Sequence, residues 1–407
     1  MFFTVMMVTV VAALSLYFNL KIEMLWIMDV FLIPVYMGMA VFMAAGIRYL
    51  FTILDSRFSI GSKPVLYAFI ILLAVFIVVK NYNKADQSRY FYGYDFGMNV
   101  LKSIDPPAIG LLEGDFFVMP QMYLKYVAKK TTYCPITTLF LYRPWGVMNL
   151  KEECPDVKFT AGENAPLGAK IHDVVVSNFR EKNIFVSIFR KTLQEFYPSG
   201  DAALAPHGMT MKMTADKKET LKEGLVNLKK ISYRGILENR LHMNSTTRLC
   251  LSNYSSAYME TGNALSAEGS QDAALKYLTR AVILATDKTK AQSLIHLAIQ
   301  HTKMGMENSA VELYKKAIKA NPYTVESYSN LAGIYNNRKQ YDEAIKYAET
   351  AIKINPDFGE AYNNLAISYY HKGNKKKAIE LMEKAVKASP GNEALKRNLM
   401  ILRGEIK

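Results

Sequence analysis

Hydrophobic and polar positions follow three rhythms along this chain, and each predicts a different architecture. Over residues 1–80 the apolar run is almost unbroken. Residues 1–20, MFFTVMMVTVVAALSLYFNL, carry no charge and are long enough to cross a bilayer at about 1.5 Å per residue. A second stretch runs from Leu25 to Leu50 around Pro34, and a third from Pro64 to Val79 between Lys63 and Lys80, whose side chains can reach the interface. Lipid offers the backbone no hydrogen-bond partner, so all three are expected as transmembrane helices and the chain as an integral membrane protein. Asp29, just inside the second stretch, is either a functional acid or a group facing headgroups. The apolar run starts at residue 2, without the basic lead and cleavage site of a signal peptide. That start is expected of a chain whose upstream part is missing or separately encoded.

From 81 to 215 the pattern becomes mixed, and a small α/β domain is expected. Residues 92–104 have helical spacing, while Ala108–Leu112 is a short apolar run bounded by turn residues, which suits a buried strand. Residues 116–130 suit a helix, 136–142 a second strand, 169–183 a helix and 184–189 a third strand. Strands alternating with helices predict a parallel or mixed sheet, with ligands collecting at the carboxyl ends of its strands. Gly114-Asp115 falls at such an end. Asp115 reads first as a helix cap, and second as a contact in an acceptor groove. A helical connector is expected over 216–254.

The last rhythm is a repeat. Pro322, Pro356 and Pro390 recur every 34 residues. Leu297-Ala298, Leu331-Ala332 and Leu365-Ala366 precede them at constant offsets, as do Ala310, Ala344 and Ala378, then Ala317, Ala351 and Ala385. Tyr328 pairs with Tyr362 and Tyr335 with Tyr369. These residues resemble the tetratricopeptide repeat (TPR), in which antiparallel helix pairs touch through small residues and stack into a solenoid. A degenerate first copy starts near Ser255, so four repeats are expected over 255–392 and a capping helix over 393–407. By repeat geometry the concave face would show Gln292, Ile295, Ile299, Glu326, Ser329, Asn336, Asn337, Asn363, Tyr370 and His371. That mixed polar surface suits a protein or peptide partner.

Charge and cysteine content narrow the picture further. The 407-residue chain carries a net charge of +14, but its lysines are scattered beside glutamates rather than striped among aromatics. Nucleic acid is therefore not an expected partner, and a membrane surface is. Cys134, Cys154 and Cys250 lack metal-ligand spacing, and Cys134 and Cys154 are open to either a bridge or two separate thiols. Asn244-Ser-Thr and Asn253-Tyr-Ser are glycosylation patterns in a eukaryotic secretory pathway only. No residue is assigned to catalysis, cofactor or metal binding.

A wider resemblance covers about residues 15–215. Asp86-Gln87-Ser88, Tyr94-x-x-Gly97-x-x-Val100-Leu101, Gly114-Asp115, Tyr123-Leu124 with Val127, the stretch VFLIPVYMGMAVFMAAGI and LAPHGM (204–209) are similar to the C-terminal half of GT-C-class glycosyltransferases. The animal members are protein O-mannosyltransferases with C-terminal TPR repeats. The resemblance implies a periplasmic or lumenal soluble part, a polyprenyl-phosphate sugar donor for the complete assembly, and a separate N-terminal catalytic half. This chain lacks the family's acidic first loop, with Glu23 alone in the corresponding place. The fold class expected is thus mixed: three transmembrane helices, a small α/β domain and a TPR solenoid. The alternative to a glycosyltransferase part is a membrane-anchored TPR scaffold of the cell envelope without enzymatic activity.

Overall fold

A computed structural model describes residues 92–113, 115–162, 164–187, 203–231 and 245–405. The chain divides into two units, one of which is formed by Phe96–Ser232 and Leu251–Lys407. Helix α1 (Tyr92–Leu101) leads to strand β1 (Ala108–Leu112), then α2 (Asp115–Met122), β2 (Cys134–Thr137), α3 (Pro144–Glu153), α4 (Leu167–Asn178) and β3 (Asn183–Ser187). The hairpin β4 (Ala203–His207) and β5 (Thr210–Thr214) follows, then α5 (Lys217–Lys229). The strands form one mixed sheet in the order β2-β1-β3-β5-β4, with β1 parallel to β2 and β3, and β5 antiparallel to β3 and β4.

The sheet follows from its residues. All five positions of β1 are buried, as a central parallel strand with both faces covered requires. Ile171, Val174 and Val175 of α4 pack with Ile109, Leu111, Ile136, Ile184 and Val186. Phe96 of α1 meets Phe117 of α2 edge-on at 5.1 Å. The two-residue turn Gly208-Met209 closes β4 onto β5, with Gly208 at φ 69°, the first position of a type II′ turn. Helix α5 lies so close to β4 that a Cβ on Gly224 would come within 2.5 Å of the Pro206 carbonyl oxygen.

Two elements depart from expectation. The helix expected over 116–130 holds Pro120, and beyond it the backbone relaxes into a π turn over Tyr123–Val127. Proline removes a helical hydrogen bond and crowds the preceding turn. The strand expected over 136–142 is instead β2, ending at Thr137, followed by a 3-10 turn over Thr138–Tyr142. Cys134 on β2 and Cys154 after α3 are joined in a disulfide.

The repeats are four helix pairs: α6 (Ser245–Ala267) with α7 (Gln271–Leu284), α8 (Asp287–Lys303) with α9 (Glu307–Ala320), α10 (Val325–Asn337) with α11 (Tyr341–Ile354), and α12 (Gly359–His371) with α13 (Lys375–Ala388). Helix α14 (Glu393–Arg403) covers the last pair. Ala298, Ala332, Ala366, Ala310, Ala344, Ala378, Ala317, Ala351 and Ala385 are all 0% exposed, so a larger side chain at any of them would push helices apart. Asn253 is 0% exposed as well, so the glycosylation pattern there is covered in the fold. Asn244 lies outside the described residues.

The expectation of three transmembrane helices, and with it an integral membrane placement, is corrected. Among the described residues no helix is long and apolar enough to cross a membrane. Helix α6, with 23 residues, has the length but not the composition: Arg248, Asn253, Glu260 and a series of serines and threonines interrupt it. The three stretches proposed over 1–80, together with Glu23, Asp29 and residues 86–88, lie outside the described residues. The described architecture is a helical repeat solenoid joined to a small sheet region.

Candidate functional site

The first helices of successive repeats, α8, α10 and α12, carry the stripe predicted to face a ligand. The structure divides its residues into two groups. Ile295 is in the core with Leu294, Ala298 and Leu331, and Ile299 packs against that cluster. Ser329 and Asn336 are buried and tie helix to helix. Asn364 Nδ2 donates to the Ser329 carbonyl at 2.8 Å, Asn336 Nδ2 donates to the Asn364 carbonyl at 2.8 Å, and Ser368 Oγ donates to Asn336 Oδ1 at 2.7 Å. Asn363 Oδ1 accepts from Asn398 Nδ2 at 3.0 Å, extending the ladder to α14.

Gln292, Glu326, Asn337, Tyr370 and His371 remain exposed. Gln292 Nε2 lies 3.1 Å from His296 Nε2, and His371 stacks on Tyr341 at the start of α11 with centroids 5.2 Å apart. Gly333 shares the helical stripe of Glu326, Asn330 and Asn337. A Cβ placed on it would meet only the Asn364 amide, at 3.8 Å. Packing therefore does not require glycine there, and its effect is to leave an open floor between polar walls.

A second concavity lies at the carboxyl ends of β1 and β2, where parallel strands are expected to gather ligands. It is a cleft of about 270 Å³ lined by Leu112, Gln121, Tyr126, Trp145 and Glu153, among others. Lys125 Nζ lies 2.7 Å from Glu153 Oε2, and the Tyr126 hydroxyl donates to the other oxygen of the same carboxylate. Burial pushes the Glu153 carboxyl up, but the bonds from Lys125 and Tyr126 and the Lys125 charge outweigh it and hold the group below the usual range. Burial, then the bond to Glu153, raise the Tyr126 phenol. Glu153 therefore stays an anion and Tyr126 a neutral donor. Asp115 is the first residue of α2; its side chain and Gly114 lie outside the described atoms.

The sequence points to a groove at these strand ends but to none of the residues that line it. Lys125, Tyr126, Trp145 and Glu153 share no spacing that marks a site, because the π turn and the shortened β2 decide which way they face. In the fold Trp145 stands half in water, leaving a large apolar surface uncovered at the cleft.

Comparison with known proteins bears on the repeats. Residues 335–393 match a family profile described as tetratricopeptide repeat, and residues 313–346 match a second with the same description. A curated relative, the photosystem I assembly protein Ycf3 of Prochlorococcus marinus (strain MIT 9215), is 30% identical over 87 residues, 21% of this chain. The chain spans 50% of that relative's length. Among solved structures, MamA (41-end) from Desulfovibrio magneticus RS-1 is 23% identical, covering 37% of this chain and 85% of that one at a TM-score of 0.32. A thermophilic TPR protein of Thermus thermophilus is 21% identical, covering 36% of this chain and 80% of its own at a TM-score of 0.34. With the 34-residue period, the paired helices and the family profiles in agreement, this chain carries tetratricopeptide repeats.

Proposed function

We propose that the repeats hold an extended segment of a partner protein along the stripe of α8, α10 and α12. The observation that carries this reading is the ladder through Ser329, Asn336, Asn364 and Ser368. It uses the inner polar groups to set the helices rigidly while leaving Gln292, Glu326, Asn337 and Tyr370 free of core packing around an open floor at Gly333. A preorganised surface loses little entropy when an extended chain lies on it. Its mixed donors and acceptors fit peptide amides better than a single charged terminus.

Presentation of a protein acceptor, the use implied by the O-mannosyltransferase resemblance, is a finer version of the same docking and needs no catalytic residue in this chain. The comparisons fall on the repeats, so that resemblance stays a proposal about residues 15–215.

Photo-crosslinking tests the docking. A benzophenone amino acid at Asn337 is expected to capture a partner segment, and one at exposed Lys346 on the outer helix α11 is not. Gly333→Arg fills the floor and should lower capture at Asn337 at least tenfold while circular dichroism shows the helical fold retained. Equal capture from both positions, or capture insensitive to Gly333→Arg, would remove the groove from consideration.

A further inference from the structure

In the sheet region, three segments converge on one buried imidazole. His207 ends β4, Asp105 precedes β1 and Glu223 lies on α5. The His207 side chain is 0% exposed, and its Nδ1 sits 2.8 Å from the Ser103 carbonyl oxygen. A carbonyl can only accept, so Nδ1 carries the hydrogen and donates it. In the neutral ring, Nε2 then presents a bare lone pair. That lone pair faces two more acceptors, Asp105 Oδ2 at 3.1 Å and Glu223 Oε2 at 3.4 Å, and it makes no hydrogen bond. Facing acceptors of this kind are relieved by a positive centre between them, either a second proton on the buried ring or a bound cation.

We propose that Asp105, His207 and Glu223 bind a divalent transition-metal ion of the zinc class. The three ligand atoms lie within 4.8 Å of one another. Tetrahedral zinc, with bonds of about 2.0–2.2 Å to nitrogen and oxygen, separates its ligands by about 3.3–3.5 Å. The two distances from Nε2 are close to that spacing. One imidazole and two carboxylates suit zinc or manganese rather than a soft metal. A metal-bound histidine commonly donates its other ring N–H to a backbone carbonyl, which orients the ring. Ser103 has that part here.

The surroundings hold the ring still. The Met209 amide donates to Ser103 Oγ at 2.8 Å, and Thr210 Oγ1 donates to the Ser103 carbonyl at 3.3 Å. Phe185 covers the imidazole with centroids 5.2 Å apart. Gly208 turns the hairpin tightly, and Gly224 lets α5 bring Glu223 up to β4. The side chains of Asp105 and Glu223 are 49% and 43% exposed, so solvent water can complete the coordination.

Lys212 is the competitor. Its Nζ lies 3.0 Å from Glu223 Oε2 and already supplies part of the positive charge. A bound metal would clamp the loop before β1, the β4–β5 hairpin and α5 together. Helix α5 in turn packs Leu221 and Leu225 against Leu265 and Ala274 of the first repeat, so the clamp would steady the base of the array.

The test uses the full chain, stripped with a chelator, dialysed and titrated with zinc chloride by calorimetry, with thermal unfolding read in parallel. One equivalent is expected to bind and to raise the melting temperature, since a ligand that binds only the folded state stabilises it. Asp105→Asn changes an exposed carboxylate and should fold; it is expected to weaken zinc binding at least tenfold. Lys212→Met, which removes the competing cation, is expected to bind zinc as tightly as the wild type or more tightly. Cobalt in place of zinc should give the visible absorption of a tetrahedral site, absent in His207→Gln. Zinc affinity within twofold of wild type in Asp105→Asn would overturn the proposal. So would the absence of zinc binding to the wild type, with nitrogen NMR showing a doubly protonated His207 shared by the carboxylates.

Discussion

Lys339 sits at φ 60°, in the left-handed region, at the turn between α10 and α11. The repeats on either side place Gly305 and Gly373 at the same position, with φ of 73° and 85°. The turn closes in the usual way, with Lys339 N donating to Asn336 O and Gln340 N to Tyr335 O, but a Cβ there crowds the carbonyl. Lys339→Gly is expected to raise stability by about 0.5–1 kcal/mol, read as a shift in the urea midpoint. Asp173 on α4 makes the opposite case, a residue whose bonds hold its surroundings together. Its carboxylate accepts from Thr160 N at 2.6 Å, Ala161 N at 2.9 Å, Thr160 Oγ1 at 2.6 Å and Ser177 Oγ at 3.1 Å. Burial pushes the group up, but those bonds outweigh it and hold it below the usual carboxylate range. Because the folded value lies below the unfolded one, this contribution is complete above the unfolded pKa and is lost as pH falls through the folded one. Asp173→Ala is expected to cost about 1–2 kcal/mol at neutral pH and to flatten the loss on acidification, which paired urea titrations at neutral and low pH would read.

At the scale of elements, two devices set helix and strand in place. The asparagine ladder joins α10 to α12, and Asn364 is its centre because its amide donates and its backbone carbonyl accepts. Asn364→Ala is expected to cost about 1–2 kcal/mol. A double-mutant cycle with Ser368→Ala should show coupling, because both act between the same two helices. The second device is the Cys134–Cys154 bridge, with a sequence separation of 20 between β2 and the end of α3. Closing such a loop restricts the unfolded chain, so reduction, or Cys134→Ser with Cys154→Ser, is expected to lower stability by about 3 kcal/mol. Denaturation with and without reductant checks this. Cys250 stands apart from that bridge: it is buried, and burial pushes its thiol up to about 12, which keeps it in the unreactive neutral form.

At the scale of the whole molecule, the sheet region and the repeats meet through Tyr254 on α6. Its hydroxyl accepts from Asn99 Nδ2 at 2.8 Å, and its ring meets Phe96 edge-on at 5.6 Å. All three residues are 0% exposed. Repeat arrays gain stability from neighbour interfaces, and here the first repeat's neighbour is the α/β core. Tyr254→Phe keeps the ring and removes the hydroxyl, so it is expected to cost about 1–3 kcal/mol and to loosen cooperation between the two regions. Calorimetry would then show a broadened or split unfolding transition in place of a narrower one.

The repeats were legible in the sequence because their contacts are nearly local. Each helix packs on the next, so alanine and proline must recur at the period of the unit, and a linear string displays that period directly. Strand β1 was legible for a similar reason, since a strand buried on both faces must be apolar throughout. Where β2 ends was not legible, because ITTLFLY suits a strand equally well, while in the fold Thr138–Tyr142 forms a 3-10 turn. Nor could the sequence separate Ser329 and Asn336, which bind helix to helix, from Glu326 and Asn337, which face outward. That division depends on the angle at which two helices cross. Asp105, His207 and Glu223 lie in remote segments, and only the strand order and the close approach of α5 bring their oxygens and nitrogen to one point. Composition and period therefore determined what repeats along the chain, while tertiary structure decided what meets across it, because the forces between distant residues act only after the backbone has folded them together.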